Sequence, residues 1–111
     1  MKKHFIAVMT ALDCREKAEK IGRLLIEKKL AACVSISAPV TSIYRWKGNV
    51  VTAEEWILLA KSSDRQYRDI EKTIRQNHPY ELPEIIAIPL VRGEKKYMQW
   101  LVDSTINKAE E

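Results

Sequence analysis

Glycine is scarce in this 111-residue chain, with Gly22, Gly48 and Gly93 far apart from one another. That excludes a glycine-rich phosphate loop, which needs clustered glycines for close backbone approach to the anion. Histidine is equally scarce: His4 and His78 are too few for a multi-histidine metal site within one chain. Neither HExxH nor GxSxG occurs, so zinc-protease and nucleophile-elbow chemistries are excluded. Two cysteines, Cys14 and Cys33, form no CxxC pair and have no histidine at zinc-ligand spacing. Both fall in apolar patterns and read as buried, reduced thiols, which implies a reducing compartment. No apolar run approaches the roughly 18 residues of a membrane-spanning helix. The net charge of +4 is modest, and Lys2-Lys3, Lys28-Lys29 and Lys95-Lys96 are isolated pairs. Without a basic stripe and interleaved aromatics, nucleic acid is not an expected partner.

What is present is the composition of an ordinary globular domain, one unit over residues 1–111. Lys2-Lys3 ahead of the apolar Phe5–Leu12 mimics a signal peptide. His4 and Thr10 interrupt the run, however, and Asp13 spoils a small-residue cleavage site. The segment therefore reads as a buried strand over His4–Thr10, in a cytoplasmic protein.

Asp13 with Glu16 three residues on predicts a capping box, followed by a helix whose inner face is Cys14, Ala18, Ile21 and Leu25. From Ala32 to Trp46 the chain reads as extended, with a bulge or edge position at Pro39, which has no N–H to give. Lys47-Gly48-Asn49 is a turn signal, and Val50–Lys61 returns as the partner strand. Ser63 with Gln66 predicts the start of a second helix, with Tyr67, Ile70 and Ile74 inward, and Pro79 stops it just after His78. Ile85–Leu90 is a last strand, and Glu94–Asn107 a short C-terminal helix with Tyr97 and Leu101 inward. The order spells an α+β, ferredoxin-like βαββαβ sandwich with an extended hairpin and a C-terminal helix.

Such a sheet carries helices on one face only, so a monomer needs its other face polar. Here Glu55–Ala60 is apolar on both faces: Trp56, Leu58 and Ala60 point one way, Ile57 and Leu59 the other. The two long strands also exceed the usual five or six residues, and a twelve-residue strand spans about 40 Å. The hairpin tip, with Ile43, Tyr44 and Trp46, should project beyond its own core and requires a partner. The pattern says that the protein is not a monomer.

His78 is the best single candidate for chemistry, since imidazole ligates transition metals or moves protons near neutral pH. A structural role at the end of its helix is the alternative. Glu55, Lys61, Tyr80 and Glu84 are its polar companions. Charged groups among apolar runs must be paired or line a solvated pocket, so these four read as inter-subunit ion pairs or as a small pocket. Tyr44 and Trp46 read as interface residues, as does Trp56.

Two stretches carry a family resemblance. The first runs Ala31-Ala32-Cys33-Val34-Ser35-Ile36 and on to Val40-Thr41-Ser42-Ile43-Tyr44-Arg45-Trp46-Lys47-Gly48; the second is His78-Pro79-Tyr80-Glu81-Leu82-Pro83-Glu84-Ile85-Ile86. In order and spacing they closely resemble the signatures of the CutA family of divalent-cation tolerance proteins. The resemblance runs from about Phe5 to Leu101 and implies a homotrimer in which such hairpins join subunit sheets. It further implies a non-enzymatic role in the response to metal ions, with copper or another divalent cation bound weakly and not required for folding. The copper ligands proposed in the family fall by position on Met9, Asn77 and His78. Met9 stands where the family has cysteine and Asn77 where it has histidine. A thioether suits Cu(I) better than Cu(II), and Met9 otherwise reads as a core residue. A PII-like signalling or ligand-sensing module is the alternative at the level of architecture, though a long effector loop and a phosphate-binding glycine run are missing. An enzyme with a His78-centred pocket is the third reading.

Overall fold

The apolar run near the N-terminus becomes β1 (Phe5–Leu12), a central strand of the sheet. It is the first element of a computed structural model that describes residues 4–106. There follow α1 (Arg15–Glu27), β2 (Cys33–Ile36), β3 (Val40–Trp46), β4 (Asn49–Ser63), α2 (Tyr67–Asn77), β5 (Ile86–Leu90) and α3 (Lys95–Asp103). The strand order is β2-β4-β1-β5 with every neighbour antiparallel, and β3 continues along β4 beyond β2. Over the described residues the result is an α+β architecture of one antiparallel sheet and three α-helices.

Alternation along β1 and β4 fixes which side chains meet the helices. Val8 pairs with Ala60, Thr10 with Leu58 and Ile6 with Ser62, and all six are buried. Against them pack Ala18, Ile21 and Leu25 of α1 with Ile70 and Ile74 of α2. The predicted inner faces of both helices are therefore those that meet the sheet. Cys14 and Cys33 are only half-buried rather than fully enclosed.

The helix starts differ from expectation. Asp13 does not cap α1: Cys14 is the N-cap, with no side-chain bond, and the Asp13 carboxylate turns to Lys17, 3.3 Å away. Ser63 does not open α2 either, because β4 runs on to Ser63 and a single 3-10 turn (Asp64–Gln66) intervenes. Gln66 cannot serve a capping box. Its buried amide donates to the Ile106 carbonyl and ties the end of α3 to the body. Glu94 caps α3, its carboxylate accepting the Tyr97 N–H at 2.8 Å. Leu101 is buried as expected, but Tyr97 is exposed. The predicted end of that helix, Asn107, lies outside the described residues.

Pro39 breaks the second extended segment outright instead of bulging it, leaving β2 and β3 as separate strands on one partner. The 15-residue β4 is thus shared between a body, where it pairs with β1 and β2, and an arm, where it pairs with β3. Lys47 (φ 49°) and Gly48 (φ 83°) both take left-handed backbone at the arm's tip. Two successive positive φ values make the turn whose twist matches a two-residue hairpin. The arm stretches the molecule to 46 × 25 × 24 Å.

Candidate functional site

Where β5 stops at Ile86, opposite Met9, the last residues of β1 lose a neighbour on that side. The segment after α2 takes the vacated place. His78, the C-cap of α2, sets its Nε2 2.9 Å from the Ala11 carbonyl and 3.1 Å from the Thr10 hydroxyl. Its Nδ1 lies 3.2 Å from the backbone N–H of Tyr80. That N–H can only donate and the Ala11 carbonyl can only accept, so the imidazole is neutral with its proton on Nε2. Burial pushes the His78 pKa down, partly opposed by the bond to Ala11. Thr10, the polar break in the apolar first strand, is a site residue whose role as the histidine's partner the sequence does not disclose.

The turn after His78 swings the Tyr80 ring edge-on to the imidazole, with centroids 4.7 Å apart. The Tyr80 hydroxyl then donates to Glu55 Oε2 at 2.8 Å. Burial first, and the Glu55 carboxylate second, raise the Tyr80 pKa, so the phenol stays protonated. Glu55 itself is only 6 % exposed. No salt bridge to it is present among the described residues.

A cavity of about 650 Å³ opens beside this pair, between arm and body. Tyr44 and Trp46 line it from the arm, Glu55 and Ala11 from the sheet, and Tyr80, Leu82 and Glu84 from the segment between α2 and β5. Glu55, Tyr80 and Glu84 are thus brought together as expected, while Lys61 is not. It sits six residues along β4, about 20 Å away at strand rise, with its ammonium 5.7 Å from the centroid of the Tyr97 ring. Trp56 is partly buried against the chain's own core. Glu81, which the sequence did not single out, also lines the cavity and reaches Lys47 at 3.9 Å; its place in the His78–Ile86 motif was the available signal.

The residues in the family's copper positions do not converge within one chain. Met9 faces the opposite side of the sheet from Thr10, against which His78 packs. The Asn77 amide is committed to the Thr73 carbonyl at 2.8 Å, and both imidazole nitrogens are engaged. No group of three or more His, Cys, Asp or Glu suited to a metal ion occurs among the described residues. This donor set does not fit a preformed, tight cation site.

The family model described as CutA1 divalent ion tolerance protein matches residues 6–104. The chain belongs to the CutA1 family. Its relatives include the divalent-cation tolerance protein CutA of Thermus thermophilus, 39% identical over 88% of this chain and 95% of that one. The chloroplastic protein CutA of Arabidopsis thaliana is 35% identical over 92% of this chain, which spans 56% of that longer relative. Among solved CutA1 structures, that from Oryza sativa superposes with a TM-score of 0.91 at 33% identity, covering 95% of this chain and 96% of the other. The Thermus thermophilus structure gives 0.88 at 38% identity, covering 91% and 98%. Among the described residues no helix is long and apolar enough to cross a membrane.

Proposed function

We propose that this CutA1-family chain acts as a cytoplasmic homotrimer in the response to divalent metal ions, as a non-enzymatic protein. The strand order supports a ferredoxin-like subunit. The observation that carries the assembly is the second face of the sheet. Ile57 and Leu59 are only partly covered there, and Ile86 and Ile88 are 46% and 40% exposed. An apolar face of that extent, continued by an arm with Ile43 and Val50 open to solvent, calls for protein contact.

Copper or a related cation binds weakly in this reading and is not required for folding. Weakness follows from His78, whose ring must give up the Tyr80 N–H or the Ala11 carbonyl before a nitrogen lone pair is free. Two measurements test the proposal. Sedimentation equilibrium should return three times the chain mass of 12.9 kDa. Copper titration should show saturable binding that His78→Ala abolishes. A monomer overturns the trimer, and binding untouched by His78→Ala overturns the histidine's part in it.

A further inference from the structure

The four strands of the body are almost devoid of charge. Across Phe5–Leu12, Cys33–Ile36, Glu55–Ser63 and Ile86–Leu90 the charged side chains are Glu55 and Lys61. Strand alternation puts both on the face away from α1 and α2, together with Ile57 and Leu59. They mark opposite ends of that face, about 20 Å apart, so they cannot meet within one chain. Glu55 is buried, and among the described residues its side chain has a single donor, the Tyr80 hydroxyl on Oε2. Lys61 is half-buried with a ring beside it but, among the described residues, no carboxylate in ion-pair reach.

A second copy that covers the apolar face buries both groups further. A buried charge is tolerated only when it is paired. Three copies around a three-fold axis meet heterologously, one surface of each against a different surface of the next. That geometry can bring the Lys61 end of one face to the Glu55 end of its neighbour.

We propose that Lys61 of the partner subunit is the counter-charge of Glu55, so that the Glu55–Tyr80 site is completed by an ammonium group from the next copy in the ring. This rests on the trimer reading above and adds to it the residue that each copy contributes to the next.

The test is a double-substitution cycle in the full chain with Glu55→Gln, Lys61→Met and both together. Assembly is followed by sedimentation equilibrium and folding by circular dichroism. Each single change should weaken assembly by roughly tenfold or more, and the double should cost no more than either single. Effects that simply multiply overturn the pair while leaving the trimer intact. A wild-type protein that sediments as a monomer overturns the trimer reading itself.

A second arm applies even if the neutral variants fail to fold. Glu55→Cys and Lys61→Cys are combined in one chain, with Cys14 and Cys33 replaced by serine. A disulfide needs Cα atoms within about 7 Å, so an intrachain bridge cannot form across that length of strand. Oxidation should give covalent trimers on a non-reducing denaturing gel. Monomers only, after treatment with a short bis-maleimide that spans the longer Cα separation of a lysine–glutamate pair as well as after oxidation, from a chain that sediments as a trimer, overturn the proposal.

Discussion

At His78 the ring's two neighbours dictate its protonation state, and this gives a prediction for pH. The Tyr80 N–H needs the Nδ1 lone pair, and burial disfavours the imidazolium, so the folded pKa lies below the ordinary 6.5. Between the folded and unfolded pKa values the unfolded chain binds more protons. Stability from this group is therefore complete above about pH 6.5 and is lost as pH falls through the folded value. Melting temperatures measured from about pH 7.5 to 5 should fall more for the wild type than for His78→Gln; parallel profiles would refute the linkage. Sequence identified His78 and its companions Glu55, Tyr80 and Glu84 because a helix stop, a Pro-Tyr pair and isolated charges in apolar runs are local signals. It did not disclose that Lys61 lies far from Glu55 within one chain, because alternation reports the face a side chain occupies and not its distance along the strand.

The pairing of α1 with β2 turns on Gly22. A Cβ there would stand 2.9 Å from Val34 Cγ1. Two effects oppose each other in Gly22→Ala. Helix propensity favours alanine by about 1 kcal/mol, while overpacking costs typically about 1–3 kcal/mol. Val34 is stiff at χ1 and is pinned by its strand to Ala60, so the clash wins. Net destabilisation of about 1 kcal/mol is expected in urea unfolding, and a gain in stability would show that β2 yields. The hairpin was legible element by element, since Lys47-Gly48 between two apolar runs admits little else. Helix beginnings were not. The capping signals at Asp13 and Ser63 are short-range, and in the fold Lys17 claims the Asp13 carboxylate while the Ile106 carbonyl claims the Gln66 amide. A tertiary or side-chain partner overrode a local preference in each case.

For the whole molecule, the radius of gyration is 14.8 Å, against about 13 Å for an ordinary domain of this length. The excess is the arm, whose apolar residues have little core of their own. Trimerisation coupled to folding makes the melting temperature rise with protein concentration. Differential scanning calorimetry over a hundredfold concentration range should show that rise, and a flat response would argue for subunits that are stable alone. The two apolar faces of residues 55–60 were readable, but the cavity between arm and body was not, because it depends on where the segment after α2 crosses the end of β1. The tight turn at Lys47-Gly48 has one more effect, on the order in which the chain acquires structure. Its pairings join the nearest residues in sequence and pay the least loop-closure entropy. A hairpin of this kind zips within about 1–10 μs, whereas the body must await the distant register of β5 on β1. During synthesis residues 40–63 emerge well before Ile86–Leu90, so a nascent chain displays the arm while the body is still open. On the trimer reading proposed above, association surfaces are then exposed before the subunit is complete, which favours assembly among chains made close together on one message.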